Sequence, residues 1–353
     1  MKIKNIKVDI KNLLLKRPYT IATKTETEVQ SVYIELELEN GLIGIGAANP
    51  SANVVNETAE ESFVHLQSET LQRLVLGRDI RHFQKIIDDI RAIFPTKPGT
   101  VAAVDIALHD AFGKLIGIPI VDFYGRCHES MPTSVTIGIK NVADTVEESE
   151  EYKASGFRVL KVKTGLDVTE DIERILKLRE RHGDYFTIRV DANQGYDLKD
   201  LRLFLDKTKD AHIELTEQPV LVGSESILME LPWEQRRLFA ADESLKNARS
   251  ALQWATAPLH FGIYNIKLMK CGGIRGALEI ANIARQADIE LFWGCNDESI
   301  ISITAALHAA FACPHTRYID LDGSLDLATD FTDAGFILKD GVMRLSDAPG
   351  LGV

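Results

Sequence analysis

Charged residues recur at regular intervals in the second half of the chain, each at or near the end of a short β-rich run. Lys163, Asp191, Glu217, Asp242 and Lys267 stand 25 to 28 residues apart, close to the length of one strand and one helix. In a barrel of alternating strands and helices, reactive residues sit at the carboxyl ends of the strands, where the connecting loops open onto one cavity. These side chains are therefore predicted to converge on one barrel mouth.

The three acids indicate a metal site. A barrel interior prefers branched apolar side chains, and carboxylates on consecutive strands repel one another unless a cation lies among them. Asp191, Glu217 and Asp242 offer only oxygen ligands, which suits a hard ion such as Mg²⁺ and argues against zinc. Alternatively, each acid caps the helix that follows its strand. Three acids in register, with lysines on both flanking strands, favour the metal site.

Lysines on both sides of the acids predict acid/base chemistry. Residues two apart in a strand face the same way, so Lys161 and Lys163 point into the barrel together, and their mutual repulsion favours the loss of a proton. Lys267 lies across the barrel, so two bases can bracket one substrate. Removing a proton beside a carboxylate creates an enolate, which a metal and nearby cations stabilise. The alternative is that the lysines only neutralise the acids, which is the role expected for Lys270.

Short β-rich runs alternate with amphipathic helical segments from Pro132 onward. This alternation predicts parallel strands joined by crossovers, and eight strands are the number in a (β/α) barrel. After Leu325 the alternation stops, and FILKDGVMRL predicts a hairpin around Asp340 and Gly341. The eight runs are SVTIGI, VLKVKTG, TIRVDAN, IELTEQP, LFAADES, YNIKLMK, LFWGCN and YIDLDG.

The first part of the chain has a different pattern. Two β-rich runs, from Ile3 to Leu15 and from Val32 to Leu38, precede helical patterns that end at Gly117. In the last of these helices, His109 and Asp110 are expected to be surface or capping groups. We predict an α+β capping domain over 1–125, a barrel over 126–325, and a C-terminal segment over 326–353 that returns to the capping domain.

Composition excludes several classes of protein. The 353 residues carry a net charge of −12, the wrong sign for binding nucleic acid through phosphate contacts. Apolar stretches are too short to span a bilayer, so no membrane partner is expected. The start, MKIKNIKVDI, lacks the continuous apolar core of a secretory signal, and a cytoplasmic location is expected. Barrels of this kind often assemble symmetrically, so a homo-oligomer is a possible assembly.

The motifs VLKVKTG, VDANQGY, TEQP, ADES and NIKLMKCGG together resemble the muconate-lactonizing-enzyme subgroup of the enolase superfamily, over essentially the whole chain. The resemblance implies a modified (β/α)7β barrel with an N-terminal capping domain. It implies that Asp191, Glu217 and Asp242 bind Mg²⁺ and that Lys163 and Lys267 are the opposed acid/base pair. By the same resemblance, Lys161 holds the substrate carboxyl group and tunes Lys163.

Within this subgroup, YIDLDGS is similar to the D-x-D motif of dipeptide epimerases, whose two acids hold the α-ammonium group of the substrate. Asp320 and Asp322 match that motif, and Thr136 matches a position that contacts substrate in similar epimerases. Stabilisation of the turn before Gly323 is the alternative for the two acids. Racemisation of N-acyl amino acids, o-succinylbenzoate synthesis and muconate cycloisomerisation need the same metal and lysines. Their substrates, however, lack an ammonium group.

One position departs from the similar Ala-Glu epimerases. In WGCNDE, Asp297 stands where those enzymes commonly have an apolar residue beside the second side chain of the substrate. An added acid there predicts a preference for dipeptides with Lys or Arg. Lys24, in the loop after Tyr19, favours the opposite charge if it points inward.

Overall fold

The structure is a computed structural model that describes residues 1–20 and 25–353, with side chains for 1–16 and 27–353. Lys24 lies outside the described residues.

An antiparallel sheet opens the chain, formed by β1 (Ile3–Thr20), β2 (Thr25–Leu38) and β3 (Ile43–Ala48). The third strand was not predicted, because IGIGAA contains two glycines and gives a weak strand pattern. The first six helices are α1 (Ala52–Val55), α2 (Ala59–Gln67), α3 (Glu69–Val75), α4 (Phe83–Ile93), α5 (Pro98–Ile116) and α6 (Ile120–Tyr124), with a 3₁₀ turn at Ile80–His82. Helices α2 and α5 pack against the antiparallel sheet.

The parallel strands predicted from the sequence are confirmed. A short strand, β4 (Met131–Pro132), precedes them. The eight strands of the parallel sheet are β5 (Val135–Ile137), β6 (Val159–Lys163), β7 (Thr187–Asp191), β8 (Ile213–Glu217), β9 (Phe239–Ala241), β10 (Ile263–Ile266), β11 (Glu290–Trp293) and β12 (Thr316–Ile319). The first and last of these also meet, since the Ser134 N–H donates to the Ile319 carbonyl over 3.2 Å and Thr133 forms a parallel bridge with Ile319. The sheet thus closes into a barrel.

Helical connections surround the barrel and join successive strands. They are α7 (Val142–Ala154), α8 (Val168–His182), α9 (Leu198–Lys207), α10 (Trp233–Arg236), α11 (Ala248–Trp254), α12 (Leu268–Cys271), α13 (Ile274–Gln286) and α14 (Ile300–Phe311), with 3₁₀ turns at Lys209–Ala211 and Glu225–Glu230. Each of the seven gaps between β5 and β12 contains at least one of these helices. This arrangement confirms the modified (β/α)7β barrel.

The barrel interior below the charged strand ends is apolar. One buried cluster consists of one residue from each of the five consecutive strands β8 to β12: Leu215, Ala240, Ile263, Phe292 and Tyr318. Beside this cluster, the buried Arg189 guanidinium lies 5.4 Å from the centre of the Phe292 ring and 5.3 Å from that of Tyr318. Because the side chains of this layer are buried against one another, they form a closely packed support for the side chains at the strand ends.

The C-terminal segment connects both parts of the molecule. The predicted hairpin is present as β13 (Ile337–Lys339) and β14 (Val342–Arg344), and β14 pairs with β4. Further on, the Leu351 N–H donates to Asp110 Oδ1 over 2.9 Å. Within the described residues, no helix is both long and apolar enough to cross a membrane.

The expectation that His109 and Asp110 are surface or capping groups is wrong, since both are fully buried. Helix α5 is enclosed by the first sheet on one side and by α12 and α13 on the other. Asp110 accepts from the Ile45 N–H at 2.9 Å and from Lys114 Nζ at 2.7 Å. The sequence pattern showed the inner face of this helix but not the second layer that covers its outer face.

Asp105 on α5 joins the N-terminal region to the barrel. Its carboxylate accepts the N–H groups of Ile274 at 2.7 Å and Arg275 at 3.3 Å, which are unpaired donors in the first turn of α13. We expect Asp105→Ala to lower the free energy of unfolding by about 1–3 kcal/mol, because buried N–H groups lose their acceptor. Urea unfolding monitored by circular dichroism measures the change. Asp122→Ala, which removes an exposed acid paired with Arg126, is the control, and an equal shift in both variants would contradict the capping role.

Candidate active site

The predicted site residues meet in one cavity of about 610 Å³ at the carboxyl ends of the barrel strands. Part of its wall comes from the N-terminal region, including Asn49 and Glu60. Asp191 and Glu217 lie fully buried just below, in contact with the lysines of the wall. The predicted residues that line the cavity are Thr136, Lys161, Lys163, Asp242, Lys267, Asp297, Asp320 and Asp322.

The three predicted metal ligands occupy adjacent strand ends. Asp191 ends β7 and is the direct register partner of Glu217, which ends β8. Asp242 follows β9 immediately. Asp191 and Glu217 are fully buried, and Asp242 is nearly so. Three carboxylates are thus held side by side in a place where water cannot screen their charges.

Each of these carboxylates directs one oxygen toward an ammonium group. Lys163 Nζ lies 2.6 Å from Asp191 Oδ2, and Lys267 Nζ lies 2.8 Å from Asp242 Oδ2. Lys161 Nζ is 2.8 Å from Glu217 Oε2 and 3.2 Å from Asp191 Oδ2. We call these three oxygens, Asp191 Oδ2, Glu217 Oε2 and Asp242 Oδ2, the front oxygens.

The pKa values reflect this crowding of opposite charges. Burial, followed by the charge of Asp191, raises the pKa of Glu217 to about 8. Burial also acts to raise the pKa of Asp191, but Lys163 and Lys161 outweigh it and lower that pKa to about 2. The sequence predicted that repulsion between Lys161 and Lys163 would favour the loss of a proton from one of them, and at Lys161 the surrounding acids act against that loss. Burial favours that loss, yet Asp320, Glu217 and Asp191 together hold the pKa of Lys161 well above its usual value.

The donor set fits a hard divalent cation. Glu217 Oε2 accepts no hydrogen bond from any described residue, although it is buried beside Lys161. Among the side chains of residues 1–16 and 27–353, no three from His, Cys, Asp or Glu are already arranged as a metal site. We attribute this to the ammonium groups, which contact the front oxygens. A divalent cation at the front oxygens would offset the carboxylate repulsion that raises the pKa of Glu217.

The two predicted bases stand on opposite sides of the barrel. Lys163 ends β6, the second barrel strand, and Lys267 follows β10, the sixth. Both are largely buried and both line the cavity. Burial acts to lower the pKa of Lys267, but Asp242 and Glu217 outweigh burial and raise it. A substrate in this cavity therefore has one amine-bearing side chain on each of two sides.

A second acidic pair lies beyond β12, the last barrel strand. Asp320 accepts from Ser134 Oγ at 2.6 Å and from Lys161 Nζ at 2.8 Å. Asp322 Oδ2 accepts the main-chain N–H of Thr136 at 2.7 Å. Burial, then the charges of Asp320 and Asp326, raise the pKa of Asp322 well above its usual value. A cationic ligand at this position would relieve that repulsion.

Asp297 lies in the cavity wall on the loop after β11 and is half-buried. Its carbonyl oxygen accepts a hydrogen bond from Asn49 Nδ2, and Asn296 Nδ2 donates to the Asn49 carbonyl over 3.0 Å. These two bonds fix the loop that carries Asp297 to the N-terminal region.

Two cavity residues were not predicted as site residues. Asn193 Oδ1 accepts from Lys163 Nζ at 3.1 Å, while its Nδ2 donates to Glu243 Oε1 over 3.3 Å. Glu243 Oε2 is buried and has no hydrogen-bond partner among the described residues, and burial followed by Asp242 raises the pKa of Glu243 to about 7. Both residues stand one or two positions after a predicted metal ligand. Both could have been predicted by including the polar residues in the two positions that follow each charged strand end.

Comparisons with known proteins agree with this geometry. Residues 5–125 match the family model of the mandelate racemase / muconate lactonizing enzyme N-terminal domain, and residues 144–353 match the model described as enolase C-terminal domain-like. The chain is 50% identical to an L-Lys-D/L-Arg epimerase of Desulforapulum autotrophicum, over 100% of this chain and 99% of the relative. An L-Lys-D/L-Arg epimerase of Methylococcus capsulatus is 47% identical, with the same coverage.

A solved structure shows the same likeness in three dimensions. The dipeptide epimerase from Methylococcus capsulatus, complexed with Mg and the dipeptide L-Arg-D-Lys, superposes with a TM-score of 0.97 at 46% identity. The superposition covers 100% of this chain and 99% of that one. Both domain models, the full-length relatives and the barrel geometry lead to one conclusion. The chain belongs to the mandelate racemase / muconate lactonizing enzyme family of the enolase superfamily.

Proposed function

We propose that this protein is a Mg²⁺-dependent dipeptide epimerase that inverts one α-carbon of a dipeptide, from L,L to L,D, by 1,1-proton transfer. The observation that carries the proposal is the acidic pair Asp320 and Asp322, which lines the same cavity as the opposed lysines Lys163 and Lys267. The lysines account for proton transfer and the acids for a substrate with a free ammonium group. The relatives named L-Lys-D/L-Arg epimerase support this assignment.

The front oxygens of Asp191, Glu217 and Asp242 would hold the Mg²⁺ ion. When bound, the ion supplies positive charge that stabilises the enolate formed from the substrate carboxylate. Lys161, Lys163 and Lys267 contact these oxygens in the structure, and with an ion held there their ammonium groups would be available to the substrate. Lys161, between these acids and Asp320, is positioned to hold the substrate carboxylate and to add to the stabilisation of the enolate.

Lys163 and Lys267 share the proton transfer. One lysine, as the neutral amine, takes the α-proton from one face, and the other, as the ammonium, delivers a proton to the opposite face. Inversion at carbon follows because the two groups lie on opposite sides of the barrel. Asn193 contacts Lys163 and restricts the position of its amine.

Asp320 and Asp322 would bind the α-ammonium group at the other end of the dipeptide. The Thr136 N–H fixes one oxygen of Asp322 and so orients the carboxylate. Three other reactions are the alternatives on this scaffold: racemisation of N-acyl amino acids, o-succinylbenzoate synthesis and muconate cycloisomerisation. Their substrates carry no α-ammonium group, and they leave Asp322 without a substrate group of opposite charge.

We further propose that the enzyme prefers dipeptides with Lys or Arg side chains and that Asp297 is one determinant of this preference. We expect Asp297→Leu to lower kcat/KM for Lys- and Arg-containing dipeptides roughly 10- to 100-fold, the effect of losing a charged hydrogen bond. Neutral dipeptides should change little. Steady-state kinetics with L-Lys-L-Lys and L-Ala-L-Ala measure the difference.

Asp297→Asn is the matched control, because the bond from Asn49 is made to the main-chain oxygen and survives in both variants. It should give an intermediate, equally selective loss. An equal loss for cationic and neutral dipeptides would show that Asp297 shapes the loop rather than selects charge.

The proposed activity is tested directly by incubation with Mg²⁺ in D₂O and a library of L,L-dipeptides, followed by mass spectrometry. Replacement of one α-hydrogen by deuterium, confined to dipeptides and strongest with Lys or Arg, is the expected result. No exchange with any dipeptide, together with exchange of N-acyl amino acids, would replace the epimerase assignment with the racemase.

A further inference from the structure

We propose that Asn265 and Lys270 are positioning residues for the metal site, which hold the rear oxygens of Glu217 and Asp242 so that the front oxygens face the ion. The inference rests on the proposed function in one respect, that Glu217 and Asp242 are metal ligands. It adds two residues that touch neither the substrate cavity nor the front oxygens.

Asn265 lies on β10 inside the barrel and is completely buried. Its Nδ2 donates to Glu217 Oε1 over 2.7 Å, while its Oδ1 accepts no hydrogen bond from the described residues. The side chain is tightly enclosed, since a Cβ added at Gly294 would come within 2.5 Å of Asn265 Oδ1. A buried amide kept for one hydrogen bond, with its other polar atom unsatisfied, costs free energy. Its hydrogen bond to Glu217 is therefore the best explanation for its presence.

Lys270 holds Asp242 from the side away from the substrate cavity. Its Nζ contacts Asp242 Oδ1, and it donates to the main-chain carbonyls of Asp242 at 2.6 Å and Asn265 at 3.0 Å. Lys267 contacts the other carboxylate oxygen, Oδ2. The two lysines of the NIKLMK motif thus contact different oxygens of Asp242, Lys270 the Oδ1 and Lys267 the Oδ2. Of these two lysines, only Lys267 lines the substrate cavity.

The same arrangement recurs at all three carboxylates. Asp191 Oδ1 accepts the Asn193 N–H at 2.9 Å, so a main-chain donor holds its rear oxygen. In each case one oxygen is bound to the protein and the other is directed to the cavity lysines. Groups that orient metal ligands in this way typically change metal affinity by about 10- to 100-fold when they are removed. A fixed set of three front oxygens suits Mg²⁺ especially, because this ion demands near-ideal octahedral geometry.

The test is the dissociation constant for Mn²⁺, a paramagnetic substitute for Mg²⁺, measured by electron paramagnetic resonance on the full chain without substrate. We expect Asn265→Leu, which keeps the shape but not the donor, to raise this constant roughly 10- to 100-fold. The fold is checked by circular dichroism and thermal unfolding. Asn141→Leu removes a helix-capping amide on the outside of the barrel and should lower stability without changing the constant.

Lys270→Met separates positioning from simple charge balance. A lysine that only neutralises acids repels the metal, so its removal would tighten Mn²⁺ binding, whereas loss of a positioning group weakens it. We expect weaker binding, again roughly 10-fold or more. Lys114→Met, which removes a lysine paired with buried Asp110 in the N-terminal region, is the control and should leave the constant unchanged.

The outcomes distinguish this inference from the proposed function. Wild-type protein that binds Mn²⁺, with folded Asn265→Leu and Lys270→Met variants that bind it equally well or more tightly, would overturn the positioning roles and leave the epimerase proposal intact. Wild-type protein that binds neither Mn²⁺ nor Mg²⁺ would overturn both. If Asn265→Leu does not fold, the direction of the change in Lys270→Met decides the question for Lys270 and Asp242.

Discussion

Lys163→Ala and Lys267→Ala should each abolish epimerisation, and each should do so by stopping proton transfer on one face of the substrate. General acid/base groups contribute about 10²- to 10⁴-fold to a rate, and here both groups are needed for every turnover. A variant with one lysine left can still remove the α-proton from the stereoisomer that presents it to that lysine. We therefore expect solvent exchange to persist for one isomer in each variant, and for opposite isomers in the two variants.

Deuterium incorporation into L,L- and L,D-dipeptides, followed by mass spectrometry, measures this asymmetry. Lys177→Ala, an exposed lysine paired with Glu180 on the outer surface, should leave both exchange rates unchanged. Complete loss of exchange for both isomers in both variants would argue that the lysines bind substrate or metal together rather than act as separate bases.

Asp322→Asn should be the most damaging change outside the lysines and the metal ligands. Removing one partner of a buried charge pair costs about 2–5 kcal/mol, so we expect kcat/KM for dipeptides to fall by roughly 10²- to 10³-fold. Asp322 gives a clearer result than Asp320, because Asp320 also contacts Lys161 and its loss would disturb that lysine.

The control for this prediction is a substrate rather than a variant. An N-acetylated dipeptide has no α-ammonium group, so its slow turnover by the wild type should be unchanged or improved in Asp322→Asn. Steady-state kinetics with both substrates give the ratio. A parallel loss for both would mean that Asp322 supports the loop around Thr136 and does not bind the ammonium group.

The barrel and its charged strand ends could be predicted because both are encoded locally. Each strand is marked by its own apolar run, and each of Asp191, Glu217 and Asp242 stands at or just after the end of such a run. Parallel strands joined by crossovers bring such positions to one edge whatever the details of packing. The position of these residues at the barrel mouth could therefore be predicted from the order of strands and helices alone.

Features that depend on distant contacts could not be predicted. Asp110 looked exposed because no local pattern shows that Leu351, far along the chain, returns to it. The pKa of Lys161 also depends on a distant contact. Its sequence neighbour Lys163 favours the loss of a proton, whereas Asp320, which comes directly after the last barrel strand, raises the pKa of Lys161. Asn265 was missed because an asparagine within a strand has no special meaning until its partner Glu217 is seen.

The paired bonds between Asn49 and the 296–297 segment have a consequence for protein engineering. The reacting groups stand on barrel strands, but the loop that carries Asp297 takes its position partly from the N-terminal region. A chimera that joins this barrel to the N-terminal region of a relative would therefore have a displaced Asp297 unless the partner of Asn296 were carried over with it. Asn49 and Asn296 should accordingly be transferred together. Libraries that aim to change which substrate side chains are accepted can vary residue 49 and the 296–297 segment while leaving every lysine in place.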